Sequence, residues 1–160
     1  MRKLILTALV IFTGVLFVNA QEIADNAIGL RLGDSDGFGT EISYQRALGG
    51  NNRLEADLGW RSGNGYDGFK LTGVYQWVWE LDGDFNWYAG AGGGLGSYSV
   101  DVPNNRDYTD TFAFIAGNIG VEYNFDIPLL LSLDFRPELG FGDFRDDLGF
   151  DIALGIRYQF

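Results

Sequence analysis

From Leu131 to Phe141 the chain reads L-S-L-D-F-R-P-E-L-G-F, with every odd position apolar and every even one polar, charged or glycine. No feature of the sequence constrains the fold more. A period of two belongs to a strand with one greasy and one polar face, because successive side chains of a strand point to opposite sides. The pattern returns at Phe150-Phe160, where Phe150, Ile152, Leu154, Ile156, Tyr158 and Phe160 alternate with Asp151, Ala153, Gly155, Arg157 and Gln159. Runs of the same kind lie around Ile28-Leu32, Ile42-Tyr44, Leu54-Trp60, Phe69-Trp79, Phe85-Leu95 and Ile115-Tyr123, which makes eight predicted strands and no helix after the amino terminus.

The first twenty residues stand apart. Arg2 and Lys3, an apolar run from Leu4 to Phe17, and Val18-Asn19-Ala20 ahead of Gln21 form the pattern of a cleaved secretory signal peptide. Residues 1–20 are therefore expected to be a leader and residues 21–160 a single domain. The sequence has no cysteine, so export does not bring a disulfide framework. A formal net charge of −11, made more negative by loss of Arg2 and Lys3, argues against nucleic acid as a partner.

Turn chemistry punctuates the strands. Gly49-Gly50-Asn51-Asn52, Asp82-Gly83-Asp84 and Asp126-Ile127-Pro128 predict short connections. They alternate with acidic stretches read as longer loops, D-S-D-G-F, S-G-N-G-Y-D-G, S-Y-S-V-D-V-P-N-N-R-D-Y-T-D and G-D-F-R-D-D-L.

Alternation does not say which face turns inward, but glycine does. Gly29, Gly33, Gly59, Gly90, Gly92, Gly94, Gly96, Gly120, Gly140 and Gly155 share the charged face, against Gly73, Gly93 and Gly117 on the apolar one. An eight-stranded barrel has an interior just wide enough for side chains to fill, so the small and charged positions belong inside and the large apolar ones face lipid. Aromatic residues fall into two bands suited to the two membrane interfaces. Trp77, Trp79, Phe85, Trp87, Tyr44, Tyr123, Tyr158 and Phe160 lie toward the short turns, and Trp60, Phe69, Phe112, Phe141 and Phe150 toward the loops. The expected fold is an all-β, eight-stranded antiparallel up-and-down transmembrane β-barrel, closed by pairing of the first strand with the last, because an open edge cannot survive in hydrocarbon.

At this point the chain resembles the small eight-stranded outer-membrane barrels of Gram-negative bacteria, of the OmpA/OmpX type. W-Y-A-G-A-G-G-G-L-G is similar to mid-barrel strands of that class, and A-L-G-I-R-Y-Q-F resembles its carboxy-terminal insertion signal, carried here by Gly155, Tyr158 and Phe160. Ala153 departs from the polar residue usual in that signal. The resemblance implies insertion by the barrel-assembly machinery, residence in the cell outer membrane as a monomer, and contact with outer-membrane lipid and lipopolysaccharide.

The inward face carries Arg31, Arg61, Lys70, Arg136 and Arg157 together with Glu41, Glu55, Asp57, Glu122, Asp134, Glu138 and Asp151. Buried charges must be paired, so these are expected to form a salt-bridge network that plugs the lumen. A gated ion path is the alternative. Barrels of this size that act as enzymes typically rely on histidine, and the sequence has none, which excludes a serine–histidine pair and a histidine metal site. A carboxylate-only catalyst such as Glu55 with Asp57 is the reading left to an enzyme. In the loops, D-S-D-G at Asp34-Gly37 and the acids Asp143, Asp146 and Asp147 lack the remaining ligands of a calcium loop. Tyr98, Pro103, Asn104, Asn105, Arg106 and Tyr108 mark the longest loop as the expected contact surface. No cofactor, metal or catalytic residue is assigned. The function expected is structural or one of surface interaction, in envelope integrity or adhesion, with a narrow pore or a transporter for small or hydrophobic molecules, of the OmpW type, as the alternative.

Overall fold

The computed structural model describes residues 23–33, 39–63, 65–100, 108–141 and 148–160. Eight strands run in chain order: β1 (Asn26–Leu32), β2 (Thr40–Gly49), β3 (Asn52–Gly63), β4 (Tyr66–Asp82), β5 (Phe85–Val100), β6 (Tyr108–Asn124), β7 (Leu129–Phe141) and β8 (Leu148–Gln159). Each pairs antiparallel with its neighbours, and β1 pairs with β8 through positions such as Leu30↔Ile156, so the sheet closes into a barrel. The closure is completed by the chain's last residue, whose N–H donates to Asn26 O at 2.9 Å while Asn26 N–H donates back to Phe160 O at 3.0 Å. The expected leader and the D-S-D-G stretch lie outside the described residues, as do Asp143, Asp146 and Asp147.

The short turns are where the sequence predicts them. Gly49, Gly50 and Gly83 hold φ of 101°, 59° and 55°, values that a side chain resists and glycine accepts. Two predicted loops are shorter than expected. The S-G-N-G-Y-D-G stretch continues both strands, with Ser62↔Asp67 and Gly63↔Tyr66 paired, and Gly65 at φ 83° makes the reversal. In the longest loop the ladder persists to Val100↔Tyr108. These segments read as loops because both of their faces are polar, and beyond the membrane both faces of a strand meet water.

Strand length is uneven. β1 has 7 residues, whereas β4 and β6 have 17. Pairing of β2 with β3 ends at Glu41↔Gly59 and that of β6 with β7 at Ala113↔Phe141, so on the loop side β3 to β6 rise above the rest of the wall as a four-stranded sheet. Besides register shifts next to two short turns, at Ala47/Gly49 and Glu80/Asp82, the ladder has a gap in mid-wall. Ala116↔Glu138 and Ile119↔Phe135 pair, but the ladder skips the two positions between them, because Pro137 has no N–H to give. Gly117 faces that ring, and a Cβ there would lie 3.2 Å from Pro137 Cγ.

The faces are those the glycines indicate. Leu30, Ile42, Leu58, Leu71, Ile119, Leu133, Ile152 and Leu154 are exposed on the outer wall, while Arg31, Glu55, Asp57, Lys70, Arg136 and Arg157 are buried inside. Among the described residues no helix is long and apolar enough to cross a membrane, and the strands take that role. At the turn end the outer rings form a belt, with Trp79 on Trp87 at 4.4 Å, Phe85 on Tyr123 at 4.7 Å and Tyr158 on Phe160 at 6.2 Å between centroids. Trp60, Phe69, Phe141 and Phe150 are exposed toward the loops.

Phe112 corrects the expected band, because it is buried inside the barrel with Phe114. It has the parity of Asn118 and Glu122, and its height along the strand was a poorer guide than its face. Room for both rings comes from the glycine-rich strand opposite: Gly96 pairs with Phe112 and Gly94 with Phe114, and a Cβ at either glycine would meet the phenylalanine Cζ at 2.5 Å. The inward glycines of β5 are thus complements to large inward side chains of β6.

Candidate functional site

The polar lumen is built by alternation: inward positions of β1, β2, β3, β7 and β8 contribute Arg31, Glu41, Ser43, Gln45, Glu55, Asp57, Ser132, Asp134, Arg136, Asp151 and Arg157, all of them buried. Arg31 lies among three carboxylates, with Nη1 2.8 Å from Glu41 Oε2 and 2.6 Å from Asp151 Oδ2, and Nη2 2.6 Å from Asp134 Oδ1. Arg136 Nη2 lies 2.7 Å from Glu55 Oε1 and 2.8 Å from Asp57 Oδ2. Arg157 donates to Glu55 Oε2 at 3.0 Å, to Ser43 Oγ at 2.9 Å and to Ser132 Oγ at 2.8 Å. Glu55 is the hub, since Gln45 Nε2 also donates to it at 2.6 Å. Four strands, β2, β3, β7 and β8, meet in that one carboxylate.

β4, β5 and β6 line the other half of the lumen with Val74, Val78, Tyr88, Phe112 and Phe114, all buried. Lys70 crosses this half: its ammonium lies 2.7 Å from Glu138 Oε1 and 4.9 Å from the Phe114 ring centroid. Nearer the turn end, Arg53 pairs with Glu122 at 2.7 Å, donates through Nε to Gln76 Oε1 at 2.6 Å and lies 4.8 Å from the Tyr88 ring centroid. Gln76 in turn donates to Asn118 at 2.8 Å, and Asn118 to Asp134 at 3.3 Å. The two halves are therefore one network.

Eleven of the twelve expected lumen charges are brought together. The exception is Arg61, which is exposed: β3 has by then risen past the end of its pairing with β2, and the inward face of the sheet is open to solvent there. Arg53 is the cation that sequence reasoning missed, although it shares the parity of Glu55 and Asp57. Its place at the start of the strand hid it beside the hairpin Gly49-Asn52. Gln45, Gln76, Ser43 and Ser132 were also legible by parity but carry no charge to draw notice. Of the expected insertion signal, Gly155 is inward, where a Cβ would run into Ser132 Oγ and Arg157 Nη1, and Tyr158 and Phe160 are exposed on the outer wall.

Glu55 and Asp57, the one pair that could imitate an acid/base couple, are both buried against Arg136. Each is held by the same guanidinium. Among the described residues no group of three His, Cys, Asp or Glu side chains is placed to hold a metal ion.

A closed antiparallel barrel with an apolar outer wall, aromatic belts and an ion-paired interior defines a transmembrane β-barrel of the outer-membrane class. Solved structures of that class are similar to it in fold. Neisserial surface protein A has 17% identity and a TM-score of 0.61, covering 84% of this chain and 94% of its own. The attachment invasion locus protein Ail of Yersinia pestis has 14% identity and a TM-score of 0.58, covering 84% and 96%. The N-terminal β-barrel domain of Pseudomonas aeruginosa OprF has 12% identity and a TM-score of 0.62, covering 84% and 95%. No protein-family model and no curated protein matches the chain.

Proposed function

We propose that this protein is a monomeric, non-catalytic structural and surface-contact barrel of the Gram-negative outer membrane, with its lumen sealed and its loop end facing out. The observation that carries the reading is the Glu55 hub. A carboxylate that accepts from Arg136 at 2.7 Å, Arg157 at 3.0 Å and Gln45 at 2.6 Å spans the barrel axis with fixed side chains. Permeation requires mobile water at that height, and charge-assisted bonds of this kind oppose it. The Phe112 and Phe114 rings close the neighbouring half.

The working surface is then the loop end, where acidic residues outnumber basic ones in each of the four connecting stretches. One solved form of Ail holds the heparin analogue sucrose octasulfate. In this chain the acidic loops disfavour a polysulfated partner and favour neutral or cationic surfaces, or anionic lipopolysaccharide reached through divalent cations. Gly155, Tyr158 and Phe160 would serve as the address read by the barrel-assembly machinery, with the two rings on the outer wall where a docking protein reaches them.

The test is conductance of the purified protein in a planar bilayer. A sealed barrel gives no discrete openings across a range of voltages. Reproducible unitary steps would replace this reading with that of a narrow pore, and uptake of a small hydrophobic solute by proteoliposomes would replace it with that of a transporter.

A further inference from the structure

On the loop side the outer face of β3 to β6 changes character over three cross-strand rows. The lowest, Leu58-Leu71-Leu95-Ala113, is wholly apolar. Two residues further, about 7 Å along the strands, the row is Trp60-Phe69-Ser97-Thr111. The next is Ser62-Asp67-Ser99-Thr109, with no apolar member. The hydrocarbon boundary therefore falls at the Trp60 row.

At that boundary the face is hollowed into a groove of about 380 Å³, lined by Trp60, Phe69, Ser62, Asp67, Ser97 and Ser99, with Arg61 and Gly68 between them along the strands. An aromatic belt alone needs rings at this height but no concavity and no hydroxyls beside them. Trp60 is 58% exposed and offers its ring to the groove wall. The hydroxyls are held in place: Ser97 Oγ donates to Asp110 O at 3.1 Å, and Ser99 Oγ and Thr109 Oγ1 share a hydrogen bond at 2.9 Å. Each keeps a lone pair for a further donor.

We infer that this groove is a binding site for the sugar headgroup of an outer-leaflet glycolipid. Exposed aromatic faces take the C–H face of a pyranose, and the Asp67 carboxylate and the serine hydroxyls exchange hydrogen bonds with its hydroxyl groups. A bare acyl chain would leave those polar groups without partners, and Asp67 keeps any phosphate of the headgroup out of the groove, so that sugar hydroxyls fill it. Continuity with the lipid-facing wall decides the source. The leucine row lies directly beneath, so a molecule with its sugar on Trp60 sets its chains along Leu58, Leu71 and Leu95. The inference rests on the proposed outward orientation of the loop end and is independent of whether the lumen conducts.

The mature chain, folded into phosphatidylcholine nanodiscs doped with equal amounts of lipid A carrying core sugars and a phospholipid of matched chains, tests it by native mass spectrometry of the lipid retained. The wild type should retain the glycolipid about tenfold over the phospholipid, a difference of about 1.4 kcal/mol. Trp60→Ala should abolish that preference. Ser99→Leu, which fills the groove while keeping the ring, should do the same, and heat-modifiable electrophoresis reports whether each variant has folded. Equal retention of the two lipids by the wild type, or a preference that survives both variants in folded form, overturns the site. Core oligosaccharide without acyl chains, bound as tightly as the glycolipid, would overturn the lipid source. In all of these results the wild-type barrel still migrates as a folded species and its conductance stands as a separate measurement, so failure of the site is distinguishable from failure of the proposed function.

Discussion

Lys70 Nζ lies 2.7 Å from Glu138 Oε1, joining β4 to β7 through the interior rather than along the wall. Both side chains are buried, so the ammonium compensates a carboxylate that has little water to fall back on. Removing one member of such a pair costs about 3 kcal/mol or more, chiefly from the charge left behind. Lys70→Ala should therefore lower the unfolding free energy obtained from urea titration in micelles by about 3 kcal/mol. The double variant Lys70→Met with Glu138→Leu should recover most of the loss, since it leaves neither charge. A double variant as unstable as the single one would mean that shape rather than charge holds this crossing.

Adjacent residues on β7 give the sharpest test of the two faces. Leu133 is 53% exposed toward lipid, and Leu133→Arg near the middle of the strand should cost about 2–4 kcal/mol. From alternation alone Ser132→Ala is harmless, but the structure assigns it a cost, because Ser132 Oγ accepts from Arg157 Nη1 at 2.8 Å. Loss of that hydrogen bond to a charged donor should cost about 1.5 kcal/mol. Equilibrium unfolding of the pair should then rank Leu133→Arg well below Ser132→Ala and both below the wild type.

Gly73 and Gly92 sit on neighbouring strands and on opposite faces of the wall. A Cβ on Gly73 would meet nothing within 4 Å, whereas one on Gly92 would collide with Gly73 O and lie 2.7 Å from Val74 Cα. Gly73→Ala should stay within about 0.5 kcal/mol of the wild type. Gly92→Ala cannot be absorbed by a rotating side chain, since the obstacle is backbone, so that variant should fail to give the folded band in unheated gels. Two equally folded variants would show that β5 has freedom to move outward.

Legibility in the sequence followed the physics of each feature. Strand number, closure and the outer face of residues such as Leu133 and Ile152 follow from a period of two and from the absence of hydrogen-bond partners in lipid, and both are visible in one dimension. Which charge meets which is not. Arg31 reaches Glu41, Asp134 and Asp151 from three different strands, and these contacts depend on barrel stagger that alternation does not encode. Arg61 and Phe112 went astray for opposite reasons. Arg61 has lumen parity but lies above the wall that would enclose it, and Phe112 has the height of the aromatic belt but the parity of the interior. The sheet formed by Ser62, Asp67, Ser97 and Ser99 was hidden because polar residues on both faces resemble a loop. Its groove needs a third dimension altogether.

Tyr88 offers the last test, because its ring and its hydroxyl have opposite value. The ring is buried against Arg53, with the guanidinium 4.8 Å from its centroid, and it occupies the space that Gly120 leaves open, where a Cβ would stand 2.5 Å from the ring Cζ. The hydroxyl is buried and has no hydrogen-bond partner among the described residues. A polar atom in that position costs free energy rather than supplying it. Tyr88→Phe should leave the barrel as stable as the wild type or raise it by about 1 kcal/mol, whereas Tyr88→Ala should lose about 3 kcal/mol or more through the cavity it opens. Gly120→Ala should be destabilising in the wild type and should be rescued in part by Tyr88→Ala, which removes the ring it strikes. Urea midpoints for the four variants decide the matter: a Tyr88→Phe variant clearly less stable than the wild type would assign the hydroxyl a bonding role inside the lumen, and no rescue of Gly120→Ala would remove the ring from that space.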